Sequence, residues 1–422
     1  MIIGLFTDTY PPYINGVSTS VLMLKQGLEK LGHKVYVVTV NNESFSYKEE
    51  DGVLKIPGFP VGIMDFRQSG IYPLKALNII KKWKLDIIHT HTEFSIGTFA
   101  RLISKQFNIP LVHTYHTMYE EYIYYITKGY FDAASKKLVE YLTLFLCDKT
   151  IDELIVPTQK AKELFKEKYK VKRDVHVIPS GIDTTRFYKE NVDLNQVSEI
   201  KKELNLKPSN FVILYVGRIA KEKNIDFLIN NFKQVLKKIP KAKFVIVGDG
   251  PDIKTLIELT HKNKLDKNVI FTGRVAWDDV PKYYALCDVF TTASTSETQG
   301  LTVMEAMGAS KPVLAIRDES FELVITDKKD GLFFDNEKDF VDIMNQLYKD
   351  KTLRYEISKE ARKTASKYSP EAYAKSVFTV YQSVVDKDTN VLKKALHGVK
   401  RAFKKSGDEK WKRFWYVIIK CF

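Results

Sequence analysis

The sequence predicts an α/β protein built of two Rossmann-like, doubly wound domains that face each other across a cleft. Three observations carry this prediction. The chain has 422 residues, and a single hydrophobic core stops growing at roughly 250–300 residues. Short runs of apolar, β-branched residues alternate with amphipathic stretches, which is typical of parallel strands joined by crossover helices. This alternation occurs twice, once on each side of a polar segment near residues 188–208.

Each apolar run marks a predicted strand, and each stretch with apolar residues three and four positions apart marks a helix. In the first half, strands are predicted at Ile2–Thr7, Lys34–Val40, Asp86–Thr90, Pro110–His113 and Leu154–Pro157, with helices at Val17–Leu31 and Ile96–Phe107. In the second half, strands are predicted at Phe211–Val216, Lys243–Val247, Val269–Thr272, Val289–Thr292 and Pro312–Ala315. The helices of that half are predicted at Ile225–Lys238, Ile253–Lys264, Val280–Leu286, Leu301–Ala309, Asp339–Tyr348 and Thr352–Lys367.

The domain boundaries follow from this order of elements. We expect an N-terminal domain over residues 1–185, a linker over 186–209, and a C-terminal domain over 210–368. A C-terminal crossover helix over 369–390 and a basic tail over 391–422 complete the chain. Ligands of doubly wound sheets bind beside the carboxyl ends of the strands, so the cleft between the domains is the expected site.

Composition excludes several classes of protein. With 44% hydrophobic and 28% charged residues, the chain is neither disordered nor collagen-like. Cys147, Cys287 and Cys421 are far apart and form no C-x-x-C, so neither a disulfide framework nor a zinc knuckle is expected, and a reducing compartment fits best. The sequence has no long apolar run of the kind that spans a membrane and no basic, signal-like N-terminus. We therefore expect a cytosolic protein, or one that lies on a membrane.

The basic charge is concentrated in the tail. The whole chain carries +14, and Val391–Phe422 contains ten Lys/Arg and two acidic residues, so +8 belongs to 32 residues and +6 to the rest. Apolar residues repeat there at helical spacing, which favours contact with an anionic membrane. A helix packed on the protein body and a nucleic-acid arm are the alternatives. The residues predicted to contact the membrane are Lys393, Lys394, Lys404, Lys405, Trp411, Phe414 and Trp415.

Two glutamates eight positions apart form the most specific local motif. Glu297 lies in a Ser/Thr-rich loop after a predicted strand, Gly300 opens a helix, and Glu305 follows one turn inside it. The first amides of that helix, at Leu301 and Thr302, can hold a phosphate, and the carboxylates can hold sugar hydroxyls. A capping loop with two solvated glutamates is the alternative, which the position after a buried strand makes less favourable.

Three other loops carry candidate ligand contacts. Arg218 and Lys223 follow the strand predicted at residues 211–216, where two cations suit a diphosphate. Gly16 opens the first helix and permits a close approach of backbone to a ligand. Arg274 and Val275 follow another strand. Each loop alone is also compatible with an ordinary connecting turn.

Four histidines end two strands of the first half. His89 and His91 follow one strand, and His113 and His116 follow the next. They could ligate a metal, but no carboxylate or cysteine spacing supports that reading. Contact with substrate or with backbone groups is the favoured interpretation.

Together these motifs resemble the retaining glycosyltransferases of family 4, which have the GT-B fold. The glutamate pair, Gly217-Arg218 with Lys223, and the N-terminal Pro-Pro…Asn-Gly-Val loop occur in order, and the resemblance extends from Met1 to Tyr381. The segments Val112-His-Thr-Tyr-His116 and Ser296-Glu-Thr-Gln-Gly resemble, within the family, bacterial enzymes that glucosylate the 3-hydroxyl of 1,2-diacylglycerol. The resemblance implies UDP-glucose as donor, with another donor sugar, or another lipid or polymer acceptor such as a glycosylated diacylglycerol or a phosphoinositide, as the alternative.

The resemblance also implies a role for each motif. The N-terminal domain would bind the acceptor and the C-terminal domain the nucleotide sugar. Arg218 and Lys223 would neutralise the diphosphate, and Glu297 would contact the donor sugar. His116 would lie near the reacting centre. The implied donor-binding residues are Gly16, Arg218, Lys223, Arg274, Val275, Glu297, Gly300, Leu301, Thr302 and Glu305, and the implied catalytic residues are His116, Glu297, Arg218 and Lys223.

We predict neither a cofactor nor a bound metal. The only Asp-x-Asp spacing, Asp386-Lys-Asp388, lies beyond the cleft elements, so the cations and the helix N-terminus would have to stabilise the leaving diphosphate. The mechanism implied by the family is attack on the face that the leaving group departs from, with retention at the anomeric carbon. No covalent nucleophile is evident.

The acceptor side is predicted from aromatic and basic segments. Tyr119–Tyr130 is rich in tyrosine, and Phe66–Lys84 mixes apolar residues and Trp83 with lysines. Such mixtures suit a membrane interface, while core packing is the alternative for the tyrosine-rich segment. We expect a peripheral protein on the cytoplasmic face of the membrane, and a nucleic-acid partner is not expected.

Overall fold

Two parallel sheets, one in each half of the chain, form the framework of the protein. The computed structural model describes residues 1–13, 15–60, 67–116, 140–295, 297 and 299–387. Within these residues the two sheets confirm the predicted pair of doubly wound domains. Both sheets are covered by helices, which is why strands such as Phe211–Val216 are buried at every position.

The first sheet has strand order β10-β9-β8-β7-β1-β2-β4-β3. Its pairs are parallel except for the antiparallel β3–β4 pair at one edge. A separate two-stranded ribbon, β5–β6, lies between β4 and the next helix. The strands are β1 Ile2–Phe6, β2 Lys34–Asn41, β3 Lys48–Glu50, β4 Val53–Pro57, β5 Phe59–Pro60, β6 Arg67–Gln68, β7 Ile87–Thr90, β8 Leu111–Thr114, β9 Glu153–Val156 and β10 Val175–Val177.

The second sheet has strand order β13-β12-β11-β14-β15-β16 and is parallel throughout. The order reverses beside β11, so the loops after β11 and β14 open onto the same crevice, where ligands bind in such sheets. The strands are β11 Phe211–Val216, β12 Ala242–Val247, β13 Val269–Gly273, β14 Val289–Thr292, β15 Val313–Ile316 and β16 Leu332–Phe334.

The helices that cover the sheets begin at local capping signals. Asn15 caps the first helix, because its Oδ1 accepts a hydrogen bond from the backbone N–H of Ser18 at 2.8 Å. Asn336 and Asp350 cap two later helices in the same way. The helices are Gly16–Lys30, Leu74–Trp83, Ser95–Phe107, Gln159–Glu163, Leu194–Glu203, Ile225–Lys238, Ile253–Lys262, Val280–Leu286, Leu301–Gly308, Glu319–Glu322, Glu337–Lys349, Lys351–Ala365 and residues 370–387.

The chain crosses between the domains twice. The segment assigned as a linker contains the helix Leu194–Glu203, whose Val197 lies in a core cluster with Val212 and Met304 of the C-terminal domain. The helix over residues 370–387 returns to the N-terminal domain, where Tyr373 and Tyr381 lie in its core. The C-terminal helix therefore ends on the first domain.

The sequence-based interpretation of the segment Phe66–Lys84 needs a correction. Trp83 is buried, and its ring stacks on that of Tyr36 with centroids 4.2 Å apart, so it packs in the core and does not face a membrane. Ile71 and Leu74 of the same segment are exposed. The tyrosine-rich stretch and the tail over 391–422 lie outside the described residues, and no described helix is both long and apolar enough to cross a membrane.

Candidate functional site

The two domains meet at the N-termini of two helices, each of which begins at or directly after a glycine. Gly16 opens the helix Gly16–Lys30, and a Cβ atom at that position would lie 3.5 Å from Cδ1 of Leu301. Leu301 is the first residue of the helix Leu301–Gly308. The two helix N-termini therefore face the same space, and both favour a negative charge there.

Gly300 is required by the geometry of its turn. Its φ is +69°, a left-handed conformation that side chains disfavour. A Cβ atom would also lie 2.5 Å from Cε1 of Phe321, which is buried. Only glycine lets the chain enter the helix Leu301–Gly308 at this angle, so the first amides of that helix are directed into the cleft by a local constraint.

Lys223 and Glu297 come together although they are 74 positions apart. Lys223 Nζ donates to Glu297 Oε1 at 2.6 Å, and both side chains are largely buried. Burial alone would raise the pKa of Glu297, but the ammonium of Lys223, with a smaller effect of Arg218, lowers it below its usual value. Arg218 itself pairs with Glu222. The site thus holds two cations near the end of β11, each paired with a carboxylate.

Glu305 has the opposite electrostatic environment. Burial raises the pKa of its carboxyl to about 7, and the hydrogen bond from Tyr284 and the charge of Arg186 only partly oppose that rise. The Tyr284 hydroxyl lies 2.8 Å from Glu305 Oε2. Near neutral pH this carboxyl is therefore poised between its two charge states, and a hydroxyl-bearing ligand that donates to it would favour the ionised one.

Arg274 and Val275 follow β13 directly, at the carboxyl edge of the second sheet. Arg274 is exposed. The same loop makes a contact that no sequence pattern predicted. Arg186 stacks over the ring of Trp277, 3.2 Å from its centroid, and the Nη2 atom of Arg186 donates to the Trp277 carbonyl at 2.6 Å. The only signal for this contact in the sequence is an arginine beside Phe187 at the start of the predicted linker.

The histidines form a buried row at the ends of β7 and β8. His91 Nδ1 lies 3.0 Å from His116 Nε2, and burial lowers the pKa of His116 to about 3. His89 is bonded through both ring nitrogens, to Tyr381 at 2.6 Å and to Thr114 at 2.7 Å. At working pH His116 is therefore a neutral ring beside the cleft.

The geometry does not favour a metal site at the four histidines, because both ring nitrogens of His89 are already hydrogen-bonded to hydroxyl groups. A different group, Glu93, His113 and Cys147, brings one ligand atom each within 4.8 Å of the others. Glu93 Oε1 lies 2.9 Å from His113 Nε2, so two of these atoms already satisfy each other.

Asp8, which follows β1, is a buried carboxylate that no sequence pattern singled out. Its Oδ1 accepts from Ser95 Oγ at 2.7 Å and from the Ile96 N–H at 3.0 Å, and its Oδ2 accepts from Thr92 Oγ1 at 2.5 Å. Burial raises the pKa of Asp8 and these bonds oppose the rise. The carboxylate thus joins the end of β1 to the start of the helix Ser95–Phe107.

Comparison with known proteins gives consistent matches over both domains. The family model for group 1 glycosyl transferases matches residues 196–364, and the model for glycosyltransferase family 4 matches residues 14–186. The chain is 36% identical to the alpha-monoglucosyldiacylglycerol synthase of Acholeplasma laidlawii over 402 residues, which are 93% of this chain and 100% of that protein. It is 39% identical to the enzyme of the same name from Streptococcus pneumoniae, over 80% of this chain and 76% of that protein.

Solved structures agree with the fold. The sucrose-phosphate synthase of Thermosynechococcus elongatus matches with a TM-score of 0.74 at 19% identity, covering 92% of this chain and 99% of that one. Anabaena HepE in complex with UDP-glucose matches with a TM-score of 0.68 at 18% identity, covering 90% and 99%. These likenesses are to the arrangement of two domains around a cleft.

Proposed function

The chain belongs to the glycosyltransferase family that contains the two alpha-monoglucosyldiacylglycerol synthases, and we propose that it transfers glucose from UDP-glucose to the 3-hydroxyl of 1,2-diacylglycerol. The observation that carries the proposal is the meeting of Lys223 and Glu297, 2.6 Å apart, beside the helix that opens at Gly300. A cation for the diphosphate and a carboxylate for sugar hydroxyls lie together there, as departure of a nucleoside diphosphate from a sugar requires.

The leaving diphosphate is stabilised by fixed charges of the chain. Lys223 and Arg218 carry full positive charges, and the helix N-terminus at Leu301 adds oriented amides and a partial positive charge. Glu297 keeps Lys223 in place before the donor binds. We propose that this set acts without a metal ion, and treatment with EDTA followed by gel filtration should then leave the transfer rate unchanged.

The nucleoside would be bound farther along the helix Leu301–Gly308. Glu305 would accept hydrogen bonds from the ribose hydroxyls, and the backbone at Arg274 and Val275 would contact the base. The hydroxyl of Tyr284 supports Glu305 from behind, at 2.8 Å. The donor would therefore lie along one helix, with the base and ribose at Glu305 and the sugar at Glu297.

The acceptor enters from the N-terminal domain. His116 lies at the end of β8 with a low pKa of about 3, so it is a neutral hydrogen-bonding ring there and not a proton-accepting imidazole. We propose that the lipid hydroxyl attacks from the side on which the diphosphate departs, and that the anomeric configuration is retained. The departing phosphate oxygen would take the proton from that hydroxyl.

A membrane contact follows from the acceptor and has support in the described residues. Five large hydrophobic side chains among the described residues of the N-terminal domain are at least 60% exposed, namely Phe45, Phe59, Ile71, Leu74 and Tyr141. The last described residue, Lys387, is held on the same domain by Glu153 of β9 at 2.5 Å. The described chain thus ends on the domain that would bind the lipid, and we propose that this domain and the basic tail dock on the anionic cytoplasmic face of the membrane.

The test uses vesicles that contain 1,2-diacylglycerol and an anionic phospholipid. Incubation with labelled UDP-glucose should give a monoglucosylated lipid with an α-anomeric linkage, and UDP-galactose should give little product. Lys223→Met should abolish most of the product, and Lys237→Met, which removes an exposed lysine of a distant helix face, should not. A product on another lipid, or faster transfer from UDP-galactose, would replace this proposal by the alternative acceptor or donor.

A binding comparison tests the membrane proposal separately. The protein should bind anionic vesicles and should show no preference for duplex DNA at moderate salt. Preferential binding to DNA would contradict the assignment of the basic tail to lipid.

A further inference from the structure

The side chain of Gln299 joins the loop before the helix Leu301–Gly308 to Ser180, near the end of the N-terminal domain. Its Oε1 accepts a hydrogen bond from the Ser180 N–H at 2.7 Å, and its Nε2 donates to the Ser180 carbonyl at 3.0 Å. Both residues are buried, with 4% and 3% of their surface exposed. A side-chain amide that bonds to both backbone groups of one residue has a single orientation, since its oxygen must face the N–H and its NH2 group the carbonyl.

The side chain of Ser180 extends this connection to two helices that pack in the N-terminal domain. The hydroxyl of Ser20 donates to Ser180 Oγ at 2.9 Å and lies 3.2 Å from the hydroxyl of Tyr373. Ser20 belongs to the helix Gly16–Lys30, and Tyr373 to the helix over residues 370–387. All of these side chains are buried, so the bonds form in a low-dielectric interior where an unpaired group is costly.

The connection runs parallel to the contact at the mouth of the cleft. Ser20 lies one helical turn after Gly16, and Gln299 lies two residues before Leu301. Gly16 and Leu301 face each other across the cleft with 3.5 Å between a Cβ at the glycine and Cδ1 of the leucine. The two bridges between the domains therefore share one rigid helix on one side and one short loop on the other.

We propose that Gln299 is a positioning residue that fixes the register of the two domains around the donor diphosphate. The inference rests on the proposed transfer from UDP-glucose. Without Gln299, the N–H and carbonyl of Ser180 lose their partners, and the loop or the backbone at Ser180 must shift to restore them. The Gly16 loop then no longer meets the diphosphate at the right place, although nucleoside contacts at Glu305 and Arg274 lie wholly within the C-terminal domain.

The main test compares Gln299→Met with Gln346→Met, a matched change of an exposed glutamine on an outer helix. For Gln299→Met we expect kcat to fall about 100-fold, because a misplacement of about 1 Å can have that effect. The Kd for UDP-glucose should change less than about threefold, which is about 0.7 kcal/mol. Gln346→Met should change neither. Equal losses in kcat and in nucleotide affinity, or an unchanged kcat in a folded Gln299→Met protein, would overturn the proposal.

Ser20→Ala probes the far end of the connection without touching the donor loop. It should lower kcat several-fold with unchanged UDP-glucose affinity, and it decides the question if the Gln299→Met protein does not fold. An unchanged kcat for Ser20→Ala in that case would overturn the proposal.

A distance measurement tests the positioning role without turnover. Spin labels at Lys82→Cys and Lys349→Cys, on exposed positions of the two domains in a Cys421→Ser background, report the interdomain distance. The distribution should be narrow in the otherwise unaltered protein and broad after Gln299→Met. An unaltered distribution would overturn the proposal. Because this readout needs no substrate, a failure of the proposed function, seen as no transfer from UDP-glucose by the unaltered protein, is distinguishable from a failure of the positioning role.

Discussion

Donor affinity should depend on pH through Glu305. Burial raises the pKa of this carboxyl to about 7 in the free protein. If the ribose hydroxyls donate to the ionised form, only that fraction of the protein is competent to bind, and the apparent Kd equals the intrinsic Kd divided by it. About 9% is ionised at pH 6 and about 91% at pH 8, so UDP-glucose should bind about tenfold more weakly at pH 6, a difference of about 1.4 kcal/mol.

Calorimetry in buffers of different ionisation enthalpy measures both the affinity and the proton that leaves. At pH 7 about half of a proton should be released on binding, because about half of the carboxyls are protonated beforehand. UDP-glucose is the right ligand, since its esterified diphosphate has no group that titrates in this range. Glu305→Gln should remove both the proton release and the pH dependence. A tenfold difference that persists in Glu305→Gln, or equal affinities of the unaltered protein at pH 6 and pH 8, would show that Glu305 does not control donor affinity.

The same pKa predicts the stability of the free protein. The pKa of this carboxyl is higher in the folded state than the unfolded value of 4.5. Its contribution to the stability of the folded state is therefore complete at pH values below 4.5. This stabilisation decreases as pH rises towards 7, because the unfolded chain then binds fewer protons than the folded one. The difference in unfolding free energy between the unaltered protein and Glu305→Gln should therefore shift by about 3 kcal/mol between pH 4.5 and 7, measured by urea denaturation.

Three other perturbations test the site and the tail. Lys223→Met should lower kcat by about 10²–10³-fold, as loss of one charge-stabilising group does, with Lys237→Met as control in the steady-state assay. Gly300→Ala should destabilise the protein by about 2 kcal/mol in thermal unfolding, because φ is +69° and the new Cβ would lie 2.5 Å from Phe321 Cε1; an unchanged melting temperature would contradict that account. Removal of Val391–Phe422 should reduce transfer to vesicle-borne diacylglycerol more than it reduces UDP-glucose binding, and equal loss of both would make the tail structural.

Sequence patterns predicted the fold because its parallel strands are covered on both faces. Such strands read as continuous apolar runs, and the strand over Phe211–Val216 was predicted with both ends correct. Most of the strands that were missed are short or polar, although β4 Val53–Pro57, with five residues, was missed as well. β3 has the sequence Lys-Glu-Glu and is exposed, and β16 has three residues, so neither produces a pattern distinct from a loop.

The candidate site was predictable only to the level of the sheet edge. The sequence placed both loops at the carboxyl edge of one sheet, and the pairing of β11 with β14 in the structure brings Lys223 and Glu297 together there. Partners that come from elsewhere carry no such signal. Arg186 reaches the Trp277 loop from the linker, and His89 bonds to Tyr381, 292 residues away. Trp83 was misassigned because one amphipathic helix has both a buried and an exposed face.

The two glutamates of the motif show where spacing stops being informative. Eight positions separate them, and a sequence can say only that both lie near the start of one helix. Lys223 lowers the pKa of Glu297, whereas burial raises that of Glu305 to about 7 against the smaller opposing effect of the Tyr284 hydrogen bond. Environments that separate two pKa values separate two roles. In the proposed site Glu297 would hold Lys223 ready for the diphosphate, whereas Glu305 would become fully ionised when the ribose hydroxyls donate to it. The proposed roles of Glu297 and Glu305 therefore depend on what surrounds each carboxyl and not on the spacing between them.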